Sequence, residues 1–166
     1  MKEAKLDSTI SMRKRLRATS GASALYLPAA PPSVSVVLVV FNEEDRILPR
    51  VENLIAAKYP ADRLEILVIT DGSTDGTVVK LSALADPRVR VLARAERSGK
   101  SACLNAALPL ARGEIVVLCD ARQRFAPHTI PELVANFSDP ELGAVSGSLE
   151  IDPAATGVGE IGRAHV

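Results

Sequence analysis

The sequence predicts an α/β fold: a mostly parallel sheet with helices on both faces. Two patterns carry the prediction. Short, continuously apolar runs recur along the chain, the form taken by strands buried on both faces. Each is followed by a stretch whose apolar residues return every three to four positions, so strands and helices alternate. A chain of 166 residues holds one domain or part of one. Crossovers between its parallel strands should be right-handed.

Residues 1–33 read as a flexible leader: a basic cluster (Arg13, Lys14, Arg15, Arg17), then small residues, then Pro28, Pro31 and Pro32. Four charges without an apolar face describe a solvated segment better than a lipid contact. Val34 to Phe41 is a β-branched run and the first strand. Glu44 to Ala57 carries Ile47, Leu48, Val51, Leu54 and Ile55, a helical stripe, with Pro49 near its start, where proline does least harm. Leu64 to Ile69 is the second strand, closed by the turn Asp71-Gly-Ser-Thr-Asp-Gly. Thr77 to Leu84 is a short helix, and Val89 to Leu92 the third strand. Lys100 to Ala111 reads as a helix that Pro109 kinks or shortens. Glu114 to Cys119 is the fourth strand, Pro127 to Phe137 a helix, and Leu142 to Ile151 a fifth strand.

Composition removes several functions. Hydrophobic residues make 47% and charged residues 24%, a globular balance. Twenty Lys plus Arg against 20 Asp plus Glu leave no net field for nucleic acid, and aromatics at 3% give no stacking platform. Cys103 and Cys119 fit no zinc spacing and build no disulfide scaffold; they read as core residues of a reducing, cytoplasmic compartment. No run approaches the ~20 apolar residues of a membrane helix. The first strand is followed by Phe41-Asn42-Glu43-Glu44 without glycine, against both a dinucleotide fingerprint and a P-loop. With two histidines, no nucleophile–histidine constellation is arguable.

In open α/β sheets, ligands bind outside the carboxyl ends of the strands. Here the first strand delivers Glu43 and Glu44, the second Asp71 and the fourth Asp120. The loop after the third strand supplies Arg94, Arg97, Gly99 and Lys100 instead. Clustered carboxylates repel unless cations join them. A divalent cation with a diphosphate, plus Lys and Arg, would balance this edge. Each residue also has a plainer role. Asp71 serves equally as an Asx-turn residue and Ser73 as a helix cap. Glu43 and Glu44 suit a helix N-terminus equally well. Asp120 follows a fully apolar strand, where an unpartnered acid is costly, which favours a function. Lys100 stands at a helix start, where lysine opposes the dipole, and a nearby anion would explain it. His128 reads as a surface residue.

Five motifs, in this order and spacing, resemble the family 2 glycosyltransferases of the GT-A (Rossmann-like) fold over Val34 to about Gly159: Val-Val-Phe-Asn-Glu-Glu, Thr-Asp-Gly-Ser-Thr-Asp-Gly-Thr, Gly-Lys-Ser-Ala-Cys-Leu-Asn-Ala-Ala-Leu, Ala-Arg-Gly-Glu-Ile-Val-Val-Leu-Cys-Asp-Ala, and the Pro127 helix. The resemblance implies transfer, with inversion, of a sugar from a nucleotide-diphosphate donor, usually a uridine one. It implies donor contacts at Phe41, Glu43, Asp71, Lys100, Asp120 and Arg122. It places Asp120 as the first acid of a D-x-D-like metal motif for Mg²⁺ or Mn²⁺. Thr70 stands where a first acid is common, and Val39 where proline is. Arg122 replaces the second acid of the metal motif, as in a membrane-bound subgroup with D-A-N or D-A-R, and puts strict metal dependence in question. The family's general base is expected beyond residue 159, so the sheet is expected to be incomplete at its C-terminus. Such a piece is expected to be inactive or weakly active. The full-length protein would then sit at the cytoplasmic face of the inner membrane. Glu160 to Val166 back-translates to a sequence like a library adapter and is read as a non-native tail. The alternatives are a non-catalytic nucleotide-sugar-binding fragment and a nucleotidyltransferase; the missing basic, glycine-rich loop disfavours the latter.

Overall fold

The computed structural model describes residues 30–149, with backbone alone at 148–149, and the backbone of residues 163–165. Most of the expected leader and most of the terminal stretch 160–166 lie outside the described residues.

Four strands form an all-parallel sheet in the order β3-β2-β1-β4: β1 (Val34–Val40), β2 (Leu64–Asp71), β3 (Val89–Arg94) and β4 (Ile115–Cys119). β1 is central. Val34 pairs with Leu64 of β2 on one side and with Ile115 of β4 on the other. Its residues are buried on both faces, apart from half-buried Val39, which is why the run reads as continuously apolar rather than alternating.

The period of two sorts the side chains onto two layers. Val34, Val36, Leu38 and Val40 of β1 join Ile66 and Val68 of β2 against α1 (Ile47–Ile55), α2 (Thr77–Ser82) and α4 (Thr129–Asn136). Val37, Leu67 and Ile69 face the other way, against Cys103 and Ala107 of α3 (Lys100–Ala107). The opposite placement of α3 follows from topology. Two crossovers step from β1 out to β3, and the third steps back past β1 to β4, so right-handedness moves its helix to the other face. Strand order therefore reverses between β1 and β4, and their carboxyl ends are where open α/β sheets place a ligand.

α3 ends at Ala107, and Leu108–Leu110 continues as a 3₁₀ turn, the shortening expected from Pro109. The fifth strand expected over Leu142 to Ile151 is not formed as such. Residues 142–147 are irregular, and Ser148–Leu149 alone is extended, in a small second sheet ordered β5-β7-β6. There β5 is Arg124–Phe125, β6 is Ser148–Leu149 and β7 is Arg163–His165. Gly143 and Gly147 explain the difference, because glycine leaves a strand nothing to pack and the most backbone freedom to lose. Residues 150–151 of that expectation lie outside the described residues. Among the described residues no helix is long and apolar enough to cross a membrane.

Candidate functional site

Asp71 ends β2 and is 4% exposed. Its Oδ1 accepts from the Ser98 N–H at 2.7 Å, the Ser98 hydroxyl at 3.2 Å and the Cys103 thiol at 3.2 Å; its Oδ2 accepts from the Gly99 N–H at 2.9 Å. The Ser98 N–H outweighs the opposing effect of burial, and the Cys103 and Gly99 donors add to it, so the carboxyl falls from an ordinary 3.8 to about 2. Asp71 thereby pins the loop before α3, and Lys100 directly follows the pinned pair. Gly72, at φ +67°, completes the approach: a Cβ there would meet the Arg97 backbone nitrogen at 2.6 Å.

The loop after β1 is stitched to the loop after β2. Asn42, at φ 51°, accepts from the Thr74 N–H at 2.8 Å and donates its own N–H to Ser73 Oγ at 3.1 Å. The Glu43 N–H donates to Thr77 Oγ1 at 3.0 Å, and the Glu44 N–H to Asp75 Oδ2 at 3.1 Å. The Glu44 carboxylate takes the Gly76 N–H at 3.0 Å and Lys80 Nζ at 3.3 Å. The Gly76 N–H first, then Lys80, lower the Glu44 carboxyl. Glu44 is thus a structural stitch, whereas the neighbouring Glu43 is shared: its Oε2 lies 3.4 Å from Arg46 Nη1, and its Oε1 reaches across the sheet to 3.6 Å from Arg122 Nε, past β4. Phe41 carries the Arg97 guanidinium over its ring at 4.1 Å.

At the end of β4, Asp120 Oδ2 meets Lys100 Nζ at 3.2 Å, with both side chains about half exposed. The rim is therefore closed by contacts between loops: Asp71 to Ser98 and Gly99, Lys100 to Asp120, Arg122 to Glu43, and the Glu43 N–H to Thr77. The six expected residues Phe41, Glu43, Asp71, Lys100, Asp120 and Arg122 all stand on this one edge. They differ in freedom. Asp71 is occupied by the protein's own donors, though Oδ2 accepts one bond and keeps acceptor capacity. Asp120, Lys100 and Arg122 are open to solvent and loosely paired.

Among the described residues no group of three or more His, Cys, Asp or Glu side chains could hold a metal ion. Asp120 offers one half-exposed carboxylate with Arg122 two residues on. Such a donor set fits a cation that takes most of its oxygens from a diphosphate and water. Two grooves lie away from the rim: one lined by Pro49, Asn53, Phe125 and Pro127, one by Val116, Leu118, Leu133 and Phe137. The rim itself is open rather than a closed cavity.

Ser98 and Cys103 hold Asp71: Ser98 is not singled out by the sequence, and Cys103, read there as a core residue, is buried and also donates to the carboxylate; away from the rim, Arg50 lies 3% exposed on α1 and is not singled out either. Arg50 was legible: it is three positions after Ile47 and adjacent to Val51, inside the apolar stripe.

The chain matches glycosyl transferase family 2 over residues 35–162. It is 34% identical over 122 residues to an N-acetylglucosaminyltransferase of Bradyrhizobium elkanii, covering 71% of this chain and 66% of that one. It is 36% identical over 118 residues to a β-monoglucosyldiacylglycerol synthase of Nostoc sp., covering 69% of this chain and 25% of the relative. Among solved structures it resembles the mannosyltransferase PcManGT from Pyrobaculum calidifontis in complex with GDP-Man and Mn²⁺, with TM-score 0.70 and 35% identity over 75% of this chain and 37% of that one. It also resembles S. aureus TarS in complex with UDP-GlcNAc, with TM-score 0.60 and 25% identity over 64% of this chain and 31% of that one. The chain thus spans from a quarter to just under two thirds of the length of these relatives. With its parallel sheet, its rim and its family match in agreement, this chain belongs to glycosyl transferase family 2 and has the GT-A fold.

Proposed function

We propose that this chain is the donor-binding part of an inverting glycosyltransferase that uses a uridine-diphosphate sugar. The observation that carries the reading is the ring of loosely paired charges, Lys100–Asp120 and Arg122–Glu43, at the β1/β4 switch point. The Lys100–Asp120 pair is exposed on both sides, and such pairs are worth only ~0–1 kcal/mol; Arg122 is half exposed at 3.6 Å from its acid, so an incoming diphosphate can take over both cations at little cost. Arg122 presents a planar fork suited to phosphate oxygens, and Lys100 a point charge. Phe41 with Arg97 offers a planar surface for a base, and Glu43 and Asp71 offer carboxylate acceptors to the nucleoside. Asp120 would hold Mg²⁺ or Mn²⁺ together with the diphosphate, and that ion supplies Lewis-acid neutralisation of the leaving group.

In the transfer, an acceptor hydroxyl attacks the anomeric carbon as the bond to the diphosphate breaks, and a general base takes the hydroxyl proton. That base, expected beyond residue 159, falls outside the side chains described. The 166-residue chain is proposed to bind the donor. The whole protein is proposed to act at the cytoplasmic face of a membrane.

Calorimetric titration of the 166-residue chain with UDP-GlcNAc, UDP-glucose and GDP-mannose, in Mn²⁺ and in a chelator, tests this. The expected outcome is saturable binding that favours uridine and is tightened by Mn²⁺. A folded sample giving no heat with any of them would sink the reading; a preference for GDP-mannose would correct the base.

A further inference from the structure

Arg50 and Asn53 form a buried unit that the donor-binding reading does not use. Arg50 Nη1 donates to Asn53 Oδ1 at 2.7 Å, and its guanidinium lies 4.5 Å over the Phe125 ring. Its Nε and Nη2 are buried and make no close hydrogen bond, and the guanidinium stands beside the Cys119 thiol. A buried cation with unpaired donors is a poor way to stabilise a helix, since an aliphatic side chain of similar volume does as well or better. Stability alone is thus a poor reason for an arginine at position 50.

Its partner shows what it supports. Asn53 Oδ1 also accepts the Phe125 N–H at 2.8 Å, while Asn53 Nδ2 donates to the Phe125 carbonyl at 2.9 Å. One side chain thus pairs both backbone groups of Phe125, as a neighbouring strand would. The segment from Asp120 to Phe125 is then held at two ends. β4 fixes the first through its ladder with β1, and Asn53 holds the second on the side away from the β5–β7 pairing. Between them, the Asp120 N–H donates to Gln123 Oε1 at 3.1 Å and the Gln123 N–H to the Asp120 carbonyl at 3.3 Å, a tight turn that carries Asp120 and Arg122. Arg50 fixes the Asn53 amide in the orientation that makes both bonds and caps the Phe125 ring.

We propose that Arg50 and Asn53 are positioning residues for the donor site, setting through Phe125 where Asp120 and Arg122 stand. The proposal rests on the donor-binding reading above. In the 166-residue chain, Asn53→Ala should weaken UDP-GlcNAc binding about tenfold, the loss expected of one or two hydrogen bonds, while moving Tm by less than about 5 °C. Placed on an Arg122→Ala background, the same change should weaken binding further by less than about threefold, because the residue it positions is gone. Full additivity of the two overturns the proposal. Arg50→Met should weaken binding about fivefold with Tm held or raised; a lowered Tm with unchanged affinity overturns it. Amide hydrogen exchange reads the clamp without ligand. Asn53→Ala should speed exchange at residues 121–125 at least about tenfold while β1 to β3 stay protected. Unchanged exchange there refutes the clamp whatever the chain binds. Failure of the unaltered chain to bind any nucleotide sugar, with exchange responding as expected, refutes the donor reading and with it the role assigned here, and leaves a structural clamp.

Discussion

At the amino end of the sheet, Glu65 accepts from the Ser35 hydroxyl at 2.6 Å, from the Arg112 N–H at 3.0 Å and from Arg90. Ser35 in turn takes the Gly113 N–H at 2.8 Å, and Glu114 takes both the N–H and the hydroxyl of Ser33. At the carboxyl end, Asp120 has Lys100 at 3.2 Å and Glu43 has Arg122 at 3.6 Å, through side chains of which three are at least half exposed. Both ends use acids, arginines and hydroxyls. The amino end spends them on the protein's own backbone, and the carboxyl end keeps them available. On the donor-binding reading proposed above, the contrast teaches that charge alone does not mark a site; weakly committed charge does. Asp71 is the exception that joins the two behaviours, because it lies at the carboxyl end but is satisfied in the manner of the amino end.

Five substitutions probe this contrast. Asp71→Ala has the largest expected effect. It strands the Ser98 and Gly99 N–H groups, and should lower stability by about 3 kcal/mol in denaturant titration as well as weaken donor binding. The acid dependence has a definite sign. The Asp71 carboxyl is lowered to about 2, so its contribution is whole above the unfolded value near 3.8 and drains as pH falls from there through 2. Asp71→Ala should flatten stability across that window, and an unchanged acid limb would remove Asp71 as its cause. Next, Gly113→Ala drives a Cβ to 2.3 Å from the Ser35 backbone nitrogen. It should lower stability by about 2 kcal/mol and leave donor affinity unchanged; a parallel loss of affinity would break the separation of the two ends.

Third, Glu65→Gln tests the amino end by charge. Burial alone would raise the Glu65 carboxyl, but Ser35, the Arg112 N–H and Arg90 outweigh it and hold it below the ordinary range. Removing the charge should cost about 1 kcal/mol in stability, again with donor affinity unchanged in calorimetry. Smallest in stability are Lys100→Ala and Arg122→Ala, which should each shift unfolding by less than about 1 kcal/mol. The same two should each weaken nucleotide-sugar binding about tenfold, as loss of a charge-assisted bond does. Destabilisation without a change in affinity would reverse the assignment of ends.

The sheet was legible because β1 and β2 are buried on both faces, which writes an unbroken apolar run into the sequence. The turn 71–76 and Pro109 announced their breaks through backbone chemistry that any local reading sees. What was hidden is pairing at a distance. Nothing near Asp71 in sequence says that Ser98 and Cys103 will satisfy it, and nothing near Phe125 says that Asn53 will hold its backbone. The irregular stretch 142–147 misled for a related reason: Leu142, Ala144 and Val145 are apolar enough for a strand, but Gly143 and Gly147 leave the pattern without packing partners.

The central strand of the sheet is also the first to be synthesised. Ser33 and Glu114, which bond at one rim of the β1–β4 pairing, are 81 positions apart. During translation β1 can zip to β2 early, yet one flank stays bare until Ile115–Cys119 leaves the ribosome. Assembly of the β1–β4 pairing is thus the late, slow event, because ring closure over so long a loop must precede any reward from contacts. A nascent chain caught before that point carries an open Val34–Val40 edge, the kind of bare strand that other chains can pair with.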